Sequence, residues 1–380
     1  VITRAVGIRT GDKYDQRRID EVPNRLNRLR FFEPVKNPTY YLNSKDEGIL
    51  KIEVEEKQTN NFDGIIGYVP AATETEKGYL TGYVNIGLRN ILGTGRNTAI
   101  RWQQENRFTQ ELELRYLEPW LFNFPFNIEM GLFQRKQDST YIQRSVEGRI
   151  EYIFSEDISA SFILNSSVTI PSERNIRMFT VYNSSSLTTG VNLKIDTRDD
   201  FYAPTSGLLL LNSYKYTLKK INGPTEYITP YTITNSGYQR LELDFNYFFQ
   251  IFFGQIAAIG VHARELRGSD FELSDLYLLG GSSTLRGYRE KQFQGNRILW
   301  SNLEYRYLLT RRSFAFLFFD SGYYLRNENM NVPEISGFKI GYGLGMNFET
   351  ALGVLSVSFA LAKGDSFSDG KIHFGIINEF

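Results

Sequence analysis

The chain has 380 residues, with 43 Lys and Arg against 43 Asp and Glu, a formal net charge of +0 and no cysteine. The charge balance leaves no nucleic-acid footprint, and the absence of thiols excludes disulfides, thiolate chemistry and cysteine metal sites. Aromatic residues reach 15%, with 29 Phe and 24 Tyr, yet mean hydropathy is only -0.33, and no run of about 18 apolar residues offers a membrane-crossing helix. High aromatic content at modest hydropathy fits a membrane β-barrel, whose strands alternate lipid-facing and lumen-facing residues.

The opening Val1-Ile2-Thr3-Arg4 has no signal-peptide pattern, so the chain is expected to begin inside a longer precursor. Asp15 is placed to cap a helix running to about Arg30, with Ile19, Val22, Leu26 and Leu29 on one face. Pro23 lies within it and should kink it or delay its start. Two strands are expected next. The clearer is Ile49–Glu55, where Leu50, Ile52 and Val54 share a face, preceded by a turn over 43–48. Residues 1–58 therefore read as a small α/β unit set apart from residues 60–380.

From about Asn60 the pattern has period two. Leu112, Leu114 and Tyr116 oppose Glu111, Glu113 and Arg115; Val146, Ile150, Tyr152 and Phe154 oppose Glu147, Arg149 and Glu151. Leu241, Leu243, Phe245, Tyr247 and Phe249 oppose Arg240, Glu242, Asp244 and Asn246; Leu303, Tyr305 and Tyr307 oppose Asn302, Glu304 and Arg306. In a soluble sandwich the charged faces would point to water. The length and aromatic character of the apolar faces argue against that, as does their return every ~20 residues, which suits membrane-spanning strands. The count is about sixteen antiparallel strands from residue 60 to the end, an even number that returns both barrel ends to one side.

Several connections carry specific residues. Leu92-Gly93-Thr94-Gly95 follows the second strand by this count. After the eighth comes a tight turn with Asp196, Arg198, Pro204 and Gly207. The glycine-rich segment Gly280-Gly281-Ser282-Ser283-Thr284-Leu285-Arg286-Gly287-Tyr288 falls between the eleventh and twelfth strands. Phe318-Phe319-Asp320-Ser321-Gly322 places a lone aspartate in an apolar strand, where an unpaired charge is costly. Arg286 is its natural partner, because guanidinium and carboxylate match geometrically. In the last segment, Ile372, Phe374, Ile376 and Phe380 face one way, and Lys371, His373, Gly375 and Glu379 the other.

The arginine-glycine-tyrosine loop (Arg286, Gly287, Tyr288) and the strand with Asp320 and Gly322 resemble the paired motifs of the BamA/TamA superfamily, outer-membrane barrels that insert or translocate other proteins. The Asp196–Gly207 turn resembles that family's Asp-x-Arg…Pro-Thr-x-Gly turn. The terminal Phe380 resembles the recognition signal of bacterial outer-membrane barrels, although Asn378 departs from the usual aromatic or aliphatic residue. Residues 25–33 and the expected helix and strands resemble the end of a POTRA module, the periplasmic unit that precedes such barrels. The resemblance implies a 16-stranded antiparallel transmembrane β-barrel behind a partial α/β POTRA module, with the module on the periplasmic side. It places the Arg286 segment in the sixth outer loop, held inside the lumen by Asp320. It also implies that work is done at a lateral seam between the first and last strands, around Gly64, Gly67, Gly375 and Phe380. Gly64 and Gly67 weaken pairing there and Pro70 lacks an N–H, so free edges can template a client strand. The implied partners are unfolded outer-membrane clients, the lipid bilayer, and periplasmic or lipoprotein accessory subunits.

No catalytic, metal or cofactor site is expected. The only histidines are His262 and His373, no nucleophile elbow or Walker loop occurs, and Gly93-x-Gly95 lacks a third glycine. Glu111, Glu113, Glu242 and Asp244 read as lumen charges balanced by Arg115 and Arg240 rather than as an acid–base pair. Two alternatives remain open: a two-partner secretion transporter exporting one partner through the lumen, and the membrane anchor of an upstream patatin-like enzyme.

Overall fold

The computed structural model describes residues 2–29, 31–33, 35–56, 60–69, 78–104, 106–137, 140–172, 181–268, 271–327, 333–350 and 353–377. The chain opens with α1 (Ile2–Val6), α2 (Gln16–Leu29), β1 (Thr39–Leu42) and β2 (Gly48–Lys51). Val22 and Leu26 on α2 are fully buried against Val6, Phe31, Phe32 and Val35, as the helical spacing requires. The helix continues through Pro23, with no delayed start. The strand expected to reach Glu55 stops at Lys51, where its pairing with β1 ends. Ile52 and Val54 instead pack on the helix cluster without a ladder partner. The turn between β1 and β2 is shaped by Asn43, whose side-chain oxygen accepts the N–H groups of Lys45 and Glu47.

The remainder is strand after strand: β3 (Asn61–Val69), β4 (Tyr79–Ile91), β5 (Arg96–Gln104), β6 (Gln110–Glu118), β7 (Phe126–Gln137), β8 (Tyr141–Ile153), β9 (Ile158–Pro171), β10 (Asn183–Asp196), β11 (Gly207–Gly223), β12 (Asn235–Phe252) and β13 (Gln255–Gly268). A small hairpin, β14 (Tyr277–Leu279) with β15 (Phe293–Gly295), intervenes before β16 (Arg297–Leu308), β17 (Phe314–Arg326), β18 (Ile335–Thr350), β19 (Gly353–Ala362) and β20 (Lys371–Ile377). Excluding that hairpin and the β1–β2 pair, 16 strands form one antiparallel sheet in which each pairs with its neighbours along the chain. This matches the expected count. It also puts the Arg286 segment between the eleventh and twelfth strands of the sheet, and the Asp196–Gly207 turn after the eighth. Among the described residues no backbone pairing joins β3 to β20.

The two faces of the sheet differ as the alternation demands. Val146 is 58% exposed, Ile150 50% and Leu317 59%, and similar residues recur on strand after strand. A continuous apolar outer face of this extent is unsuited to water and suited to lipid. The inner face carries charges that pair laterally: Arg115 and Arg149 both bind Glu129, and Arg135 binds Glu111 at 2.8 Å. Strand length varies sharply. β11 and β12 have 17 and 18 residues, whereas β6 has 9.

Candidate functional site

The segment between β13 and β16 folds inward, and the sheet wraps around it. Its root is fixed by a charge cluster centred on Asp275. Lys219 of β11 donates to Asp275 and Glu272, each at 2.6 Å, and Tyr238 of β12 donates its hydroxyl to Asp275 at 2.9 Å. Arg240 reaches the Asp275 carbonyl at 2.9 Å and stacks over the Tyr238 and Tyr277 rings. Arg240 is therefore not the counter-charge of the strand carboxylates, as expected from sequence: Glu242 pairs with Lys215, and Asp244 with Arg264 and His262. Burial works against an ionised Asp275, but Lys219 and Arg240 outweigh it and hold the carboxyl below its ordinary value.

At the tip, Arg286 and Asp320 meet. Nε donates to Asp320 Oδ2 at 2.8 Å and Nη2 to Oδ1 at 2.7 Å, while the Arg286 backbone N–H adds a third bond to Oδ2 at 3.0 Å. The aspartate side chain is 0% exposed. The remaining guanidinium nitrogen, Nη1, binds Glu304 of β16 at 2.6 Å, and Glu304 is shared with Arg306 at 2.8 Å. The guanidinium also lies 3.7 Å above the Phe318 ring centre. Burial lowers the arginine's proton affinity, yet Asp320 and Glu304 more than offset it and raise its pKa above the ordinary value. A two-residue pair read from sequence is thus a four-residue cluster. Glu304 was not singled out because it reads as one more polar residue of an alternating strand.

The motif's other residues shape the seat. Gly322 lies beneath Leu285, whose side chain would crowd any Cβ there at 3.1 Å. Gly287 has φ 90°, and a side chain on it would collide with the Leu361 backbone of β19 at 2.8 Å. Its N–H donates to His373 Nε2 on β20 at 3.2 Å. Tyr288 donates its hydroxyl to the Ile340 carbonyl of β18 at 3.1 Å. Further on, Lys291 reaches the opposite wall and binds Glu111 of β6 at 2.7 Å. The segment is therefore a crossbar that runs from β6 to β20.

β17 and β18 are fitted to this crossbar. Phe316, Phe318 and Asp320 of β17 face Gly345, Gly343 and Gly341 of β18 directly across the ladder. Any Cβ on Gly341 would fall on the Arg286 carbonyl, and one on Gly343 would sit 2.8 Å from the Phe318 ring. The alternating Gly341-Tyr342-Gly343-Leu344-Gly345 is the sequence signal of this bare strip.

The turn after β10 is tied to the turn between β16 and β17. Arg198 grips Asp196 with Nε at 2.7 Å and Nη2 at 2.8 Å. Asp200 accepts the N–H groups of Tyr202 and Ala203 and binds Arg312, in the turn between β16 and β17, at 3.1 Å. Pro204 is buried beside Ala203, which packs on Phe314, Phe316 and Phe318. Gly207 has φ 96°, and a side chain on it would collide with the Thr197 carbonyl and the Arg198 Cα. Of the residues expected at a seam, Gly64 and Gly67 lie on β3 and Gly375 on β20. Phe380, Asn378 and Pro70 lie outside the described residues.

An antiparallel 16-stranded sheet, apolar on one face, charged on the other and carrying its own folded loop on the charged face, is the architecture expected of an outer-membrane β-barrel protein. The Omp85 superfamily domain matches residues 90–380, and the chain belongs to the Omp85 superfamily, a family of outer-membrane β-barrel proteins. Its fold is similar to BamA from Haemophilus ducreyi lacking POTRA domains 1-3, at TM-score 0.60 and 16% identity, over 98% of this chain and 80% of that one. It is similar to CdiB from Escherichia coli at TM-score 0.64 and 12% identity, over 98% of this chain and 72% of that one. CdiB from Acinetobacter baumannii matches at 0.56 and 14%, over 94% of this chain and 66% of that one. At these identities the likeness concerns the fold.

Proposed function

We propose that the chain is an outer-membrane assembly factor that inserts and folds client proteins at a lateral seam between its first and last strands, β3 and β20. The observation that carries this reading is a contrast. The interior is crossed by a segment held by paired charges, whereas β3 carries Gly64 and Gly67 and, among the described residues, has no backbone pairing with β20. An interior crossed by the chain's own loop, next to a first strand weakened by Gly64 and Gly67, favours work at the edges. Exposed strand groups in lipid are costly, so an incoming strand would gain backbone hydrogen bonds by augmenting one edge. Free energy comes from the client's own folding in the bilayer, and no nucleotide is required. In this reading residues 1–58 end a POTRA arm in the periplasm, where unfolded clients and accessory subunits arrive.

The test is client assembly in lipid vesicles with β3 and β20 joined by an engineered disulfide. Loss of assembly that reductant restores is expected. Normal assembly with the bridge fully formed would leave export through the lumen, or anchoring of another domain, as the function.

A further inference from the structure

The peptide unit between Arg286 and Gly287 touches three successive strands at once. Its carbonyl oxygen rests on Gly341 of β18. The Gly287 Cα lies against the Leu361 backbone of β19, so closely that no side chain fits. Its N–H donates to His373 Nε2 on β20, the last strand of the sheet. One residue earlier, the Arg286 guanidinium is fixed to Asp320. A rigid planar group thus connects the buried charge cluster to the terminal strand, and His373 is the side chain on that strand that receives it. His373 lies on the inner face, in register with Ser358 of β19, while its neighbours Ile372 and Phe374 point outward.

We propose that His373 is a positioning residue that couples the seated loop to β20. While Arg286 is held by Asp320, the Gly287 N–H holds β20 in place; when the loop lifts, β20 loses that bond. The consequence for seam opening rests on the assembly reading above, whereas the coupling itself does not. The chemistry imposes a condition: Nε2 must be bare to accept, so His373 must carry its proton on Nδ1.

Two measurements decide it. The chain has 2 histidines, so the 15N spectrum of histidine-labelled wild-type protein should show His373 as the Nδ1–H tautomer. A protonated Nε2 at His373 would overturn the proposal even if every variant failed to fold. Spin labels at Tyr68 on β3 and Phe374 on β20, both outward-facing, then report the distance across the seam. His373→Phe keeps a ring without an acceptor and should broaden the distance distribution about two-fold. His373→Gln, whose amide oxygen can accept, should restore the wild-type width. Equal widths for the two variants would refute the coupling. Client assembly is scored separately: intact assembly despite a broadened seam would count against the assembly reading and leave the coupling standing.

Discussion

Asp320 receives the Arg286 backbone amide as well as its guanidinium, so the two residues of the lock are not equivalent. Arg286→Ala removes the charge but leaves the amide bond to Asp320 available. Asp320→Ala removes all three bonds and leaves a buried guanidinium held by Glu304 alone. Breaking a buried pair costs roughly 3–5 kcal/mol, and the aspartate variant should lie at the upper end. Each should raise protease sensitivity of residues 271–295 or channel conductance. The double variant should be little worse than Asp320→Ala, because both act on one interaction. Fully additive effects would show that the residues act separately. Asp320→Asn, which keeps an oxygen for the amide, should recover part of the loss.

The root of the crossbar should matter independently. Lys219→Met leaves Asp275 and Glu272 without their shared ammonium, a loss of about 3–5 kcal/mol for a buried pair. Hydrogen exchange should accelerate around 271–277 while the Arg286 tip stays protected. Loss of protection at both ends together would mean that root and tip form one cooperative unit.

A pH signature is expected at the turn after β10. Burial disfavours the charged form of Asp200, but the Ala203 N–H, Arg312 and the Tyr202 N–H together hold its carboxyl below the ordinary value. Such a group adds stability above its unfolded pKa, about 3.9 for aspartate. That stability is lost as pH falls through the lower folded value. The difference in thermal midpoint between wild type and Asp200→Asn should be full at neutral pH and shrink below about pH 4. A constant difference down to pH 2 would remove Asp200 from the account.

The seam disulfide depends on where a side chain fits. A Cβ at Gly64 would collide with the Tyr83 carbonyl at 2.6 Å, so cysteine there should disturb β3 before any bridge forms. The nearest atom to a Cβ at Gly67 is the Thr81 hydroxyl at 3.1 Å, and Gly375 has open space. Gly67→Cys with Gly375→Cys is therefore the pair to build, in a chain with no native cysteine. Gly64→Cys alone should impair folding in a way that reductant does not reverse. If it behaves like Gly67→Cys, the close approach of β4 is not a constraint.

Much of the architecture was legible because one periodicity and one compositional signal govern it. Alternation marked the strands, and glycine with proline marked the turns, which fixed the position of Arg286 relative to β13 and β16. The Arg286–Asp320 contact could be read because each residue stands out locally: one in a glycine loop, the other in an apolar strand. Glu304, Lys219 and Asp275 could not, since each looks like an ordinary charge until the fold brings segments 18 to 56 residues apart together. Arg240 was given the wrong partner for the same reason. β2 ends at Lys51 although Ile52 and Val54 keep strand-like alternation, because they pack on a helix.

The glycines opposite Phe316, Phe318 and Asp320 give the inner wall a tolerance of less than one methyl group. Where Arg286 rests, the relief of the wall is that of the main chain itself. An alanine at Gly341 would act as a wedge under the loop, prying it from its seat without removing a charge or a ladder bond. The loop can therefore be unseated by adding atoms as well as by deleting them, and the lift should grow with the size of the side chain introduced.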